Sequence, residues 1–202
     1  MMFHLRLRDA VRGRAFRLLC ARRFGGWGRD TLVIAPIAIE GAERIHLGDG
    51  VYVAAQTCLA AMPYTGAASC RLEIGDGSRI GRFNHINATR RVTIGHRVLT
   101  ANGVYISDNL HGYRDISRAV LDQPIVQTRD VKVGDDSWLG HNACVVGVSI
   151  GRHCVIGANA VVTRDIPDYC VAVGAPAAIV RRYDPARADW FATDQTGEFL
   201  DL

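Results

Sequence analysis

An aliphatic residue followed by a small one returns every six positions through most of this chain, and few folds tolerate such a beat. Leu47-Gly48, Val53-Ala54 and Leu59-Ala60 form one run. Ile74-Gly75, Ile80-Gly81 and Ile86-Asn87 form a second, and Ile94-Gly95, Thr100-Ala101 and Ile106-Ser107 a third. Val133-Gly134, Leu139-Gly140 and Val145-Val146 make the fourth, followed by Ile150-Gly151, Ile156-Gly157 and Val162-Thr163. Six residues are too few for a helix and its return, but they fit a short strand and a tight corner. Three units then close one triangular coil. The aliphatic residue points inward and stacks on its counterpart in the next coil, and the small residue lets the backbone turn without a Cβ clash. The fold class is all-β, a parallel β-helix of about five coils.

The interruptions divide the chain. Residues 1–30 read as a basic amphipathic helix and connector, 31–175 as the β-helix, and 176–202 as a short C-terminal extension. Within the β-helix, residues 61–71 (AMPYTGAASCR) and 108–130 leave the pattern and read as loops thrown out from it. One hexad is short, since Val145 and Ile150 stand five apart.

Charge is unevenly placed. Residues 1–30 hold eight arginines against Asp9 and Asp30, a balance of +6, so the other residues carry −2 of the net +4. Phe3, Leu7, Val11 and Leu18 recur at helical spacing among those arginines. Such a helix caps the end of the main domain or lies on an anionic membrane surface, since both roles use the same pattern. A nucleic-acid partner is disfavoured, because the basic run lacks interleaved aromatics and the body is not basic. No run of eighteen apolar residues exists, and the arginine-rich N-terminus does not read as a secretory signal. Six cysteines are scattered without a CxxC pair, which fits reduced thiols in a cytoplasmic protein. The expected localisation is cytoplasmic, with the basic helix leaving a peripheral position at the inner face of the membrane open.

A regular coil stack catalyses nothing by itself, so chemistry must come from what interrupts it. The loop at 108–130 places His111 among Asp108, Asn109 and Tyr113. Histidine is the side chain best suited to accept a proton near neutral pH, and long loops in compact repeats are commonly functional.

The stretches SDNLHGY (107–113), VGDDSWLG (133–140), GANAVVTRDIP (157–167), VGAPA (173–177) and VRRYD (180–184) resemble the hexapeptide-repeat acyltransferases. Within that family they look most like the maltose/galactoside acetyltransferase branch and the bacterial polysaccharide or O-antigen O-acetyltransferases. The likeness covers roughly residues 45–190. It implies a left-handed parallel β-helix, a homotrimer, acetyl-CoA as acyl donor with no metal required, and a saccharide or lipid-linked saccharide acceptor in surface polysaccharide biosynthesis. Position by position it makes His111 the catalytic base and Asn87, in RFNHINA, an active-site asparagine. It places Trp138, His141, Ala158, Thr163, Arg164 and Arg181 along the coenzyme. Asp108 is expected to orient the imidazole, with Tyr113 beside the substrate. Three departures stand out. Asn109 stands where many relatives of the polysaccharide branch have a second histidine, His141 stands where a small residue is frequent, and the coil after Trp138 is a residue short.

Other readings share the scaffold. A xenobiotic or other small-molecule acetyltransferase would use the same machinery, and a non-catalytic scaffold would need only the coils. A γ-class carbonic anhydrase needs closely spaced zinc-binding histidines, whereas His85, His111, His141 and His153 are 26, 30 and 12 residues apart. A cysteine nucleophile is disfavoured, since none lies beside His111 in sequence.

Overall fold

The hexads contribute short strands to three parallel sheets, with Ile150 joining through isolated bridges, and successive coils stack in register. A computed structural model describes residues 2–200, with side chains from residue 8 onward. The first sheet orders Gly26–Trp27, Ile45–Leu47, Arg71–Ile74, Arg91–Ile94 and Val131–Val133. The third orders Ala38–Glu40, Cys58–Ala61, His85–Ala88, Tyr105–Ser107, Cys144–Val146 and Val161–Val162. The repeat's aliphatic positions form the core. Leu59, Ile86, Ile106 and Val145 of the third sheet are each completely buried, and Ile86 lies between Leu59 and Ile106 in register. Burying each such side chain contributes about 1.5–3 kcal/mol.

The small residue of the hexad has its expected reason at Gly81. A Cβ there would lie 2.2 Å from the carbonyl oxygen of Ala101, so only glycine lets the coils approach this closely. Buried hydroxyls complete the corners. Ser78 Oγ donates to the Gly95 carbonyl at 2.8 Å and accepts from the Val98 N–H at 3.0 Å, and Ser137 makes the same pair with Gly151 and Cys154. The short hexad is absorbed at Gly147, whose φ of +64° turns the chain beside Thr128. Ile150 still bridges Val133 and Ile166, so the coil closes.

Both ends of the stack are covered, which blunts the exposed strand edges. At one end lies helix α1 (Met2–Cys20). Gly13 is buried there, and a Cβ would come within 2.7 Å of Ile34 Cδ1. Phe16 packs against Phe24 and Trp27 at 6.4 and 6.1 Å between ring centroids. The face read from the sequence differs from the face used. Val11 and Leu18 are exposed, while Gly13, Phe16 and Cys20 meet the coils; the side chains of Phe3 and Leu7 lie outside the described residues. Close approach to Leu32 and Ile34 requires a residue without a side chain, and that sets the helix's rotation. Coil pairing also starts early, since Gly26–Trp27 already pairs with Ile45–Leu47. At the other end Ala178–Asp184 and Asp189–Ala192 add an antiparallel hairpin to strand Cys170–Val173.

Candidate active site

The excursion at 108–130 is not irregular. Asn109–His111 and Ile125–Gln127 form a two-stranded antiparallel hairpin that leaves the third sheet directly after Tyr105–Ser107. Beneath it, Glu40, Ala60, Asn87 and Ser107 occupy one register row on successive coils. The hairpin and this row enclose a cavity of about 300 Å³ whose lining includes Glu40, Tyr64, Asn87, Tyr105 and His111. Asn87 and His111, separated by a whole coil in sequence, are thus brought to one pocket. His111 is exposed, and the hairpin's hydrogen bonds go to its neighbours rather than to its imidazole. Tyr113 does not line this cavity but shares another, of about 540 Å³, with His111, Arg114 and Val126.

Asp108 does not orient His111. Its side chain is fully buried and turned back into the coil below. It accepts from the backbone N–H groups of Thr89 (2.7 Å), Arg90 (2.7 Å) and Arg91 (2.8 Å), and from Thr89 Oγ1 (2.9 Å). Burial alone would raise its pKa, but these donors favour the carboxylate more strongly and the net direction is down. The expectation fails because three backbone donors at a corner outcompete one imidazole on an exposed strand. Asn109 completes the arrangement, its Nδ2 lying 3.3 Å from Asp108 Oδ1.

Three residues with no sequence signature shape the same site. Gln127 ties the two excursions together, with Oε1 accepting from Thr65 (2.8 Å) and Nε2 donating to the Asp108 carbonyl (2.7 Å). Tyr64 stands over Glu40, its hydroxyl 3.4 Å from Oε2. A polar residue in a loop and a glutamate ending a strand look ordinary until the coils bring them together.

The residues expected along the coenzyme lie apart from that pocket. Trp138 sits half-exposed on strand Trp138–Leu139, between Leu99 and Val155 of the neighbouring coils. His141 and Ala158 occupy exposed positions at corresponding corners of successive coils, joined by the Asn159 N–H donating to the His141 carbonyl (2.7 Å). Thr163 and Arg164 line a cavity of about 430 Å³ with Pro176, Ala178 and Gln195. Arg164 Nη2 donates to the Gln195 carbonyl at 2.6 Å. Arg181 lies exposed on the terminal hairpin, opposite Val171 and Ala192. Among the described residues neither arginine has a carboxylate within ion-pair distance, unlike Arg97, Arg129 and Arg152. Unpaired guanidinium groups suit phosphates, so this donor set fits a coenzyme carrying them.

Residues 130–164 match the family model described as the hexapeptide repeat of succinyl-transferase. A probable acetyltransferase of Mycobacterium tuberculosis is 44% identical over 111 residues, covering 54% of this chain and 37% of its own length. A putative lipopolysaccharide biosynthesis O-acetyl transferase of Escherichia coli is 34% identical over 122 residues, covering 57% of this chain and 62% of its own. The chain therefore spans between about a third and two thirds of these relatives. Among solved structures, an N-acyltransferase of Bacillus cereus crystallised with dTDP and 3-hydroxybutyryl-CoA superposes with a TM-score of 0.70 at 14% identity, covering 85% of this chain and 89% of that one. At that identity the likeness concerns the fold.

Proposed function

We propose that this chain, a hexapeptide-repeat protein, is a coenzyme-A-dependent acetyltransferase that acetylates a hydroxyl of a saccharide, with His111 as general base. The observation that carries the reading is the meeting of Asn87 and His111 in one pocket walled by Glu40 and Tyr64. A sugar hydroxyl is a weak nucleophile at neutral pH because little of it is ionised. His111 takes its proton as the oxygen attacks the thioester carbonyl, a contribution of typically ~10²–10⁴-fold. Asn87 orients the acceptor, and backbone N–H groups of a coil face the developing oxyanion. The carbon–sulfur bond then breaks, and the thiolate leaves as coenzyme A after protonation. The relatives named as acetyltransferases support this chemistry, and the one named for lipopolysaccharide biosynthesis supports a role in surface polysaccharide assembly.

Direct transfer needs no cysteine, and the thiols are poorly suited to carry an acyl group. Burial pushes Cys154 and Cys70 up to about 11 and raises Cys144 and Cys58 as well, so little thiolate forms at neutral pH. Within one chain, the described coenzyme residues and the His111 pocket do not share a cavity. That separation supports a homotrimer in which a second copy supplies the missing wall.

Glu40 is the acceptor's anchor in this reading, accepting from a sugar hydroxyl at the end of the pocket away from His111's hairpin. Coenzyme A release from acetyl-CoA, followed across a panel of neutral and amino sugars, tests it. Turnover is expected with a hydroxyl acceptor, and Glu40→Gln is expected to raise KM for that acceptor about tenfold with kcat little changed. Acetyl transfer confined to amino groups would move the assignment to an N-acetyltransferase. No acceptor-dependent release with any member would remove the saccharide.

A further inference from the structure

Helix α1 has apolar residues on both sides. Its inner face, with Gly13, Phe16 and Cys20, closes the coil stack. The opposite face presents Leu18 at 85%, Leu19 at 78% and Val11 at 58% exposure. Successive helical residues turn by about 100°, so these three fall on one outward stripe with Ala15 between them and Arg12 and Arg14 on its two flanks. Arg8, Arg22 and Arg23 are exposed nearby. On the coils several exposed arginines are matched with aspartates, Arg29 with Asp49, Arg97 with Asp136, Arg129 with Asp165 and Arg152 with Asp168, whereas Arg164 and Arg181 are not. Among the described residues none of the six arginines on or just after the helix, Arg17 included, has such a partner. Packing on the coils therefore explains the inner face and leaves an apolar stripe bordered by uncompensated cations.

We infer that this face is a docking surface for an anionic lipid bilayer. Leucines at the acyl boundary and guanidinium groups at the headgroups fit that chemistry together, each supplying what the other lacks. A partner protein with an apolar groove would satisfy the leucines but give no reason for positive charge on both flanks. The bilayer would lie against the end of the stack, and no helix of the described chain is long and apolar enough to cross it. The surface stands on the helix alone and does not rest on the acetyltransfer reading. It does give that reading a geometry. Glu40, Ala60 and Asn87 lie on strands of successive coils, roughly 4.8 Å apart, starting from the helix-capped end. The acceptor row would then begin close to the membrane.

Flotation of the full chain with vesicles of phosphatidylcholine, with and without phosphatidylglycerol, tests the inference. Binding is expected only with phosphatidylglycerol and is expected to fall when salt is raised. Leu18→Glu with Leu19→Glu should weaken it at least roughly tenfold, and Arg12→Gln with Arg14→Gln by roughly tenfold. Both variants change exposed side chains, so their melting temperatures should stay at the wild-type value and show that folding is intact. Absence of binding to phosphatidylglycerol vesicles overturns the inference, as does binding unchanged by the leucine pair. A lower oligomeric mass of the leucine variant by light scattering, with no lipid binding by the wild type, would mean a second copy covers the stripe and would equally overturn it.

Discussion

His111→Ala should lower kcat for acetyl transfer by about 10²–10⁴-fold while leaving acetyl-CoA binding within a factor of about two. The imidazole lies exposed at the mouth of the pocket that holds Asn87, and the hairpin around it closes its hydrogen bonds without it. Its removal therefore deletes a proton acceptor and leaves the scaffold standing. Rates from coenzyme A release, set beside calorimetric affinities for the coenzyme, separate the two effects. A loss of coenzyme affinity equal to the loss of rate would show that His111 binds rather than catalyses. An unchanged rate would move the base elsewhere in the pocket.

Asp108→Ala should cost about 3 kcal/mol of stability, although this side chain touches no substrate. The substitution leaves the N–H groups of Thr89, Arg90 and Arg91 without their acceptor beneath the hairpin, and each such orphaned group costs about 1–3 kcal/mol. In a chain of this size that corresponds to a melting temperature lower by about 6–12 °C. The effect depends on pH with a definite sign. Asp108 has a lowered pKa in the fold, so its contribution is complete above the ordinary value of 3.8 and is lost as pH falls through the lower, folded one. The stability difference between wild type and variant should therefore be largest at neutral pH and narrow in acid, below pH 3.8, as the charge-dependent part is lost. Equal melting temperatures at pH 7 would mean that the corner does not depend on this carboxylate. Activity should fall as well, because the strand carrying His111 begins at the next residue.

The expected and observed places of Asp108 show what a repeat reveals and what it hides. The hexads state where each aliphatic residue points, because an inward position must stack on the coils above and below. Leu59, Ile86 and Ile106 are buried where the beat places them. His111 and Asn87 were legible as a pair through the resemblance, and the coils bring them to one cavity. Asp108 was misplaced because sequence proximity to His111 says nothing of the competition from backbone donors one coil below. Glu40, Tyr64 and Gln127 were invisible for a related reason. Their partners lie 19 to 62 positions away in sequence and become neighbours only once the coils and both excursions are folded. The helix's rotation turned on Gly13, a residue that no hydrophobic pattern marks.

The central claim is that the chain binds an acyl-coenzyme A through Arg164 of its last coil and Arg181 of the terminal hairpin, and one titration tests it without knowledge of the acceptor. Calorimetry with acetyl-CoA should give saturable binding to the wild type. Replacing Arg164 and Arg181 together with alanine should weaken it by about tenfold or more, since two guanidinium–phosphate contacts are lost. Absence of binding by the wild type, or an affinity unmoved by the double change, would contradict the account.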